Sequence, residues 1–67
     1  MDNNIRALLE EHSSRVSDLI KETGLAKSFV YDVINGKSVP TLKTARLIAD
    51  FLNSTIDEVF PKQELKN

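Results

Sequence analysis

Gly24 is the residue that most limits what this chain can become. It stands between two short stretches whose apolar residues recur at helical spacing. Before it come Val16, Leu19, Ile20 and Thr23; after it come Leu25, Val30, Val33 and Ile34. Glycine enters the left-handed backbone region without steric penalty, so it closes one helix and lets the next begin within a few residues. Two short helices joined through such a turn cross steeply, with Leu25 plugging the space between them. The second helix then rests on the core through Val30 and Val33, and its other face stays free.

The rest of the chain is punctuated in the same way. A first helix starts near Asn3 or Asn4, carries Ile5, Leu8 and Leu9, and runs to about His12. Ser13-Ser14 breaks it and offers a hydroxyl cap to the second helix. Asn35-Gly36 ends the third helix, and Pro40 closes a short loop where proline commonly precedes a helix. The fourth helix is the longest. Leu42, Ala45, Ile48, Ala49 and Leu52 form its buried stripe, Leu47 and Phe51 widen that stripe, and Asn53 caps it. Thr55-Ile56-Asp57-Glu58 is a capping-box pattern that opens a short fifth helix with Ile56, Val59 and Phe60. Residues 1–60 therefore read as one all-α domain of five helices, and residues 61–67 as a short, frayed polar tail. No stretch alternates with period two, so no sheet is expected.

Size narrows the chemistry. A chain of 67 residues holds one small core. With no Cys and one His, neither a disulfide framework nor a zinc site is expected. No apolar run approaches the ~20 residues that span a bilayer, and the N-terminus does not read as a secretory signal. We expect a soluble cytoplasmic protein with no cofactor, no metal, no membrane association and no small-molecule ligand.

Net charge is −1, but its distribution is uneven. From Ser13 to Arg46 the chain is +3, through Arg15, Lys21, Lys27, Lys37, Lys43 and Arg46 against Asp18, Glu22 and Asp32; the remaining ends sum to −4. Such asymmetry permits a nucleic-acid face in the middle of the chain. The free face of the third helix carries Lys27, Ser28, Phe29, Tyr31, Asp32 and Asn35. Two aromatics beside Lys and Ser read as a contact surface more than as a self-solvating helix, although Phe29 and Tyr31 can also pack on neighbouring helices.

The run from Gly24 to Lys37 resembles the turn and recognition helix of the Cro/repressor (XRE-like) helix-turn-helix family. Pro40-Thr41-Leu42 and the run from Leu47 to Asn53 resemble that family's fourth helix, and the run from Ser54 to Phe60 its closing segment. The resemblance covers roughly residues 4 to 60. It implies a compact lambda-repressor-like five-helix domain, a transcriptional regulator and most simply a phage or bacterial repressor.

Docking geometry in this family puts the N-terminal part of the recognition helix against base edges. The resemblance thus assigns base reading to Lys27, Ser28, Phe29, Tyr31 and Asp32. Lys27 suits guanine O6 or N7, Asp32 suits cytosine N4, and an aromatic ring suits a thymine methyl. It assigns phosphate contacts to Arg15, Lys37, Ser38 and Thr41, the last with backbone amides at the start of the fourth helix. Two-fold dimers reading half-sites one helical turn apart are expected, with Ile56, Val59 and Phe60 as the candidate dimer surface. So short a domain leaves no room for a separate sensor, and control through concentration, dimerisation or an antagonist protein is expected.

The chain departs from the family pattern in places. Val16 stands where a phosphate-touching Gln is frequent, and Ala26 where Ser or Thr usually caps the recognition helix. Leu9 and Ile34 stand where some relatives bury an Arg–Glu pair; an apolar pair is a workable replacement. A protein-interaction module on the same fold, an antirepressor or accessory factor, is the alternative reading. An enzyme is the weakest, since His12-Ser13-Ser14 is adjacency without an orienting acid and no phosphate loop or metal-ligand cluster is present.

Overall fold

The structure, a computed structural model, describes residues 3–61 and Leu65. The described residues form five helices: α1 (Ile5–Glu11), α2 (Val16–Thr23), α3 (Lys27–Ile34), α4 (Leu42–Phe51) and α5 (Ile56–Val59). None is long and apolar enough to cross a membrane. They enclose one apolar core in a body of 27 × 22 × 18 Å. Ile5, Leu19, Val30, Val33, Ala45, Ile48, Leu52, Val59 and Phe60 are each at most 1% exposed, so every helix contributes to that core. Leu8, Val16, Ile20, Leu25 and Phe51 pack against it.

Helix ends explain the spacing. α1, α3 and α4 each close in the same way. At α3 the Gly36 amide donates to the Val33 carbonyl (3.1 Å) and the Lys37 amide to that of Asp32 (2.8 Å). Gly36 sits at φ 77°, the left-handed residue this double closure needs. Ser13 (φ 54°) and Asn53 (φ 51°) occupy the equivalent place after α1 and α4. Asn53 thus lies one residue beyond the cap, which is Leu52.

Several expectations are corrected. The hydroxyls of Ser13 and Ser14 do not cap α2; its N-cap is Arg15, whose backbone amide donates to the Asp18 carboxylate at 2.9 Å. Leu47 does not widen the buried stripe of α4, because the helix turns it outward to 42% exposure. Val59 and Phe60 are core residues and not a surface, at 0% and 1% exposure, since α5 is too short to fold without burying its apolar side. Ile56 is half-buried against the same cluster. In the tail, Lys62–Glu64, Lys66 and Asn67 lie outside the described residues, while Leu65 is half-buried against the core and not part of a wholly polar segment.

The capping box of α5 is formed as the sequence predicts. The Glu58 amide donates to Thr55 Oγ1 (3.1 Å), and the Thr55 amide donates to Glu58 Oε1 (2.8 Å). The Thr55 amide, and after it the Thr55 hydroxyl, favours the ionised Glu58 carboxylate and holds its pKa below the ordinary 4.5.

Candidate nucleic-acid interface

The turn between α2 and α3 is built from three residues, Gly24, Leu25 and Ala26. Gly24 at φ 72° donates its amide to the Ile20 carbonyl at 2.9 Å and ends α2. A Cβ here would meet nothing within 4 Å, so the site needs glycine for its backbone angle alone. Leu25 turns inward against the core, as the plug between the helices. Ala26 is the N-cap of α3 and supplies no side-chain bond, so the first turn of α3 keeps free amides.

α3 is anchored by Val30 and Val33, each 1% exposed. Side chains three and four residues apart share a helical face. Lys27 and Tyr31 therefore stack along one side, with Ser28 and Asp32 beside them. Lys27 and Ser28 are exposed, and Tyr31 and Asp32 half-buried. Phe29 stands off this group: it is half-buried and packed against the core, the packing alternative to its reading as a base contact. Leu9 is buried in the core and Ile34 packs against it, so both positions of the family's ion pair are apolar here.

Lys37 and Ser38 are held to the end of α3, since the amides of both donate to the Asp32 carbonyl, at 2.8 and 3.3 Å. The Lys37 side chain is left exposed. Arg15 and Thr41 stand apart from α3, as the N-caps of α2 and α4. Arg15 extends into solvent with its side chain 84% exposed, its guanidinium 3.8 Å from Asp18. Thr41 Oγ1 accepts from the Thr44 amide (3.3 Å) and donates to Thr44 Oγ1 (3.2 Å). Its hydroxyl is thus committed to capping, and an anion at this end of α4 would meet the backbone amides.

Two asparagines support the site in a way the sequence reading missed. Asn3 Nδ2 donates to the Val33 carbonyl at 2.8 Å, binding the chain start to the last turn of α3. Asn4 Nδ2 donates to the Glu58 carbonyl (2.8 Å) and the Asn4 amide to that of Val59 (2.9 Å). Partners 30 and 54 residues away leave no local signal.

Comparison with known proteins agrees with this geometry. The chain matches the model of the helix-turn-helix family over residues 5–59. It is also similar to the SPbeta prophage-derived uncharacterized HTH-type transcriptional regulator YotL of Bacillus subtilis (strain 168). The two are 33% identical over 61 residues, which cover 90% of this chain and 76% of that protein. A two-helix unit joined by a glycine turn, a third helix anchored on one side, and a family match spanning all five helices lead to one assignment: the chain belongs to the XRE-type helix-turn-helix family of DNA-binding transcriptional regulators.

Proposed function

We propose that this protein is a sequence-specific repressor that lays α3 in the major groove of double-stranded DNA, as a two-fold dimer on an inverted repeat. The observation that carries this reading is the division of α3 into two sides. Val30 and Val33 lock it to the core, while Lys27, Ser28, Tyr31 and Asp32 share a side from which base edges can be reached. Lys27 and Ser28, exposed in the first turn, lead into the groove. Lys27 donates to guanine, Ser28 bonds to base edges, Asp32 accepts from cytosine, and Tyr31 meets a thymine methyl or a phosphate. Arg15, Lys37, Ser38 and the amides beside Thr41 fix the register on phosphates. Residues 1–60 are the reading domain. Such a protein works in the cytoplasm, controlled by its concentration or by an antagonist protein that competes for this face.

Selection of bound molecules from a randomised duplex library tests the reading. Enrichment of an inverted repeat with half-sites about one helical turn apart is the expected result. Recovery of no motif, with affinity set by salt alone, would overturn the sequence-specific reading.

A further inference from the structure

The outer side of α4 is unlike an ordinary solvated helix face. Lys43, Arg46, Leu47 and Asp50 follow at i, i+3, i+4 and i+7, so they form one stripe. All four are exposed, and the stripe lies opposite the buried Ala45, Ile48 and Leu52. Among the described residues the large apolar side chains left exposed are Leu47, at the middle of this stripe, and Val39, in the loop before α4. The stripe contributes to two shallow hollows. One is lined by Leu42, Lys43, Arg46 and Leu47; the other by Asp50, Asn53, Ser54, Thr55 and Glu58. The first is apolar and basic, the second acidic. Among the described residues the one ion pair is Arg15–Asp18, so no described residue forms an ion pair with any of these charges.

A stripe that is basic at Lys43 and Arg46 and acidic at Asp50, with Leu47 between Lys43 and Asp50, forms a self-complementary pattern. A two-fold axis perpendicular to α4, passing between Arg46 and Leu47, lays α4 antiparallel on its own copy. Residues whose numbers are symmetric about that point then face each other. Lys43 meets the second copy's Asp50, Leu47 meets the apolar hollow of the other chain, and each contact occurs twice. We propose that the occupant of this surface is a second copy of this chain, docked antiparallel through α4, with Leu47 as the anchor and Lys43–Asp50 pairs setting the register. This deepens the dimer reading above and rests on it. It also supplies a surface in place of Val59 and Phe60, which the core has already used.

The test is oligomeric state by sedimentation, without DNA, for the natural chain and four variants: L47E, K43D, D50K and K43D/D50K. Far-UV circular dichroism confirms that each is folded, as expected for substitutions at exposed positions. The natural chain sediments as a dimer, and L47E as a monomer. K43D and D50K each weaken the dimer about tenfold or more by placing like charges together twice, and K43D/D50K restores it. A natural chain that is monomeric at high concentration, a dimer indifferent to L47E, or a double variant no tighter than the singles would overturn the proposal. Titration of the natural chain and L47E against a duplex carrying one half-site separates this from the DNA reading. A natural chain that is monomeric yet binds the half-site sinks the interface alone.

Discussion

Ser13, Gly36 and Asn53 occupy the same left-handed turn after three different helices, yet only one of them is free of strain there. A side chain in this region crowds its own carbonyl, a cost of about 1–2 kcal/mol that asparagine partly offsets and serine does not. Ser13→Gly is therefore expected to raise the unfolding free energy, by up to about 1 kcal/mol after the added chain entropy of glycine. Urea denaturation of the two proteins decides it, and an unchanged or lowered midpoint counts against the strain. The site residues divide by the same kind of local reasoning. Lys27→Ala is expected to cost about 1–3 kcal/mol on the selected operator and to relax the preference at one base pair. Lys37→Ala is expected to weaken all duplexes alike and to reduce the slope of log affinity on log salt by about 1. Binding isotherms at several salt concentrations, on operator and scrambled duplexes, distinguish the two.

At the scale of the element, α3 and α5 begin in opposite ways. α5 has a complete reciprocal cap; α3 begins on Ala26 with none. Ala26→Ser supplies the missing acceptor and is expected to stabilise the fold by about 1 kcal/mol, read as a higher melting temperature. In α5 the Glu58 carboxylate is held ionised by the Thr55 amide and hydroxyl, so its folded pKa lies below its unfolded one. Its contribution is present above the ordinary carboxylate range and disappears as pH falls through the folded value. Between about pH 5 and about pH 3 the natural chain is expected to lose stability more steeply than Glu58→Gln. Parallel slopes in a pH series of melts would set that linkage aside. All five helices were legible because their signals are local: apolar spacing, a glycine stop, and Thr55 with Glu58 three residues on. The cap of α2 was not, since Ser13 and Ser14 looked as suitable as any hydroxyl. The closure of α1 takes the amides of both serines, α2 starts one residue later, and its N-cap falls on Arg15, whose amide donates to the Asp18 carboxylate.

Across the whole molecule, what escaped the sequence is what depends on the third dimension. Periodicity puts Leu47 with the core, yet α4 turns it outward; Val59 and Phe60 suit either a dimer surface or core closure, and the core takes both, since a four-residue helix offers little surface beyond what it buries. The division of α3 was legible for Val30, Val33, Lys27 and Ser28, but not for Phe29, which neighbouring helices draw inward. The bonds of Asn3 and Asn4 were invisible for the same reason. Asn3→Ala removes a long-range bond worth about 1 kcal/mol and is expected to lower the melting temperature by roughly 4–8 °C. An unmoved transition would mean that the Val33 carbonyl is satisfied equally well by water.

That stitching also changes what kind of object the chain is. With Asn4 bonded to the carbonyls of Glu58 and Val59, the beginning and the end of the fold are fastened to each other. The backbone runs as a closed ring and not as a string with two loose ends. Opening either end breaks bonds at the other, so protection of the amides of α5 and of the Asn4 amide is expected to rise and fall together. A change at Asn4 is therefore expected to be felt at α5 as well as at the start of α1.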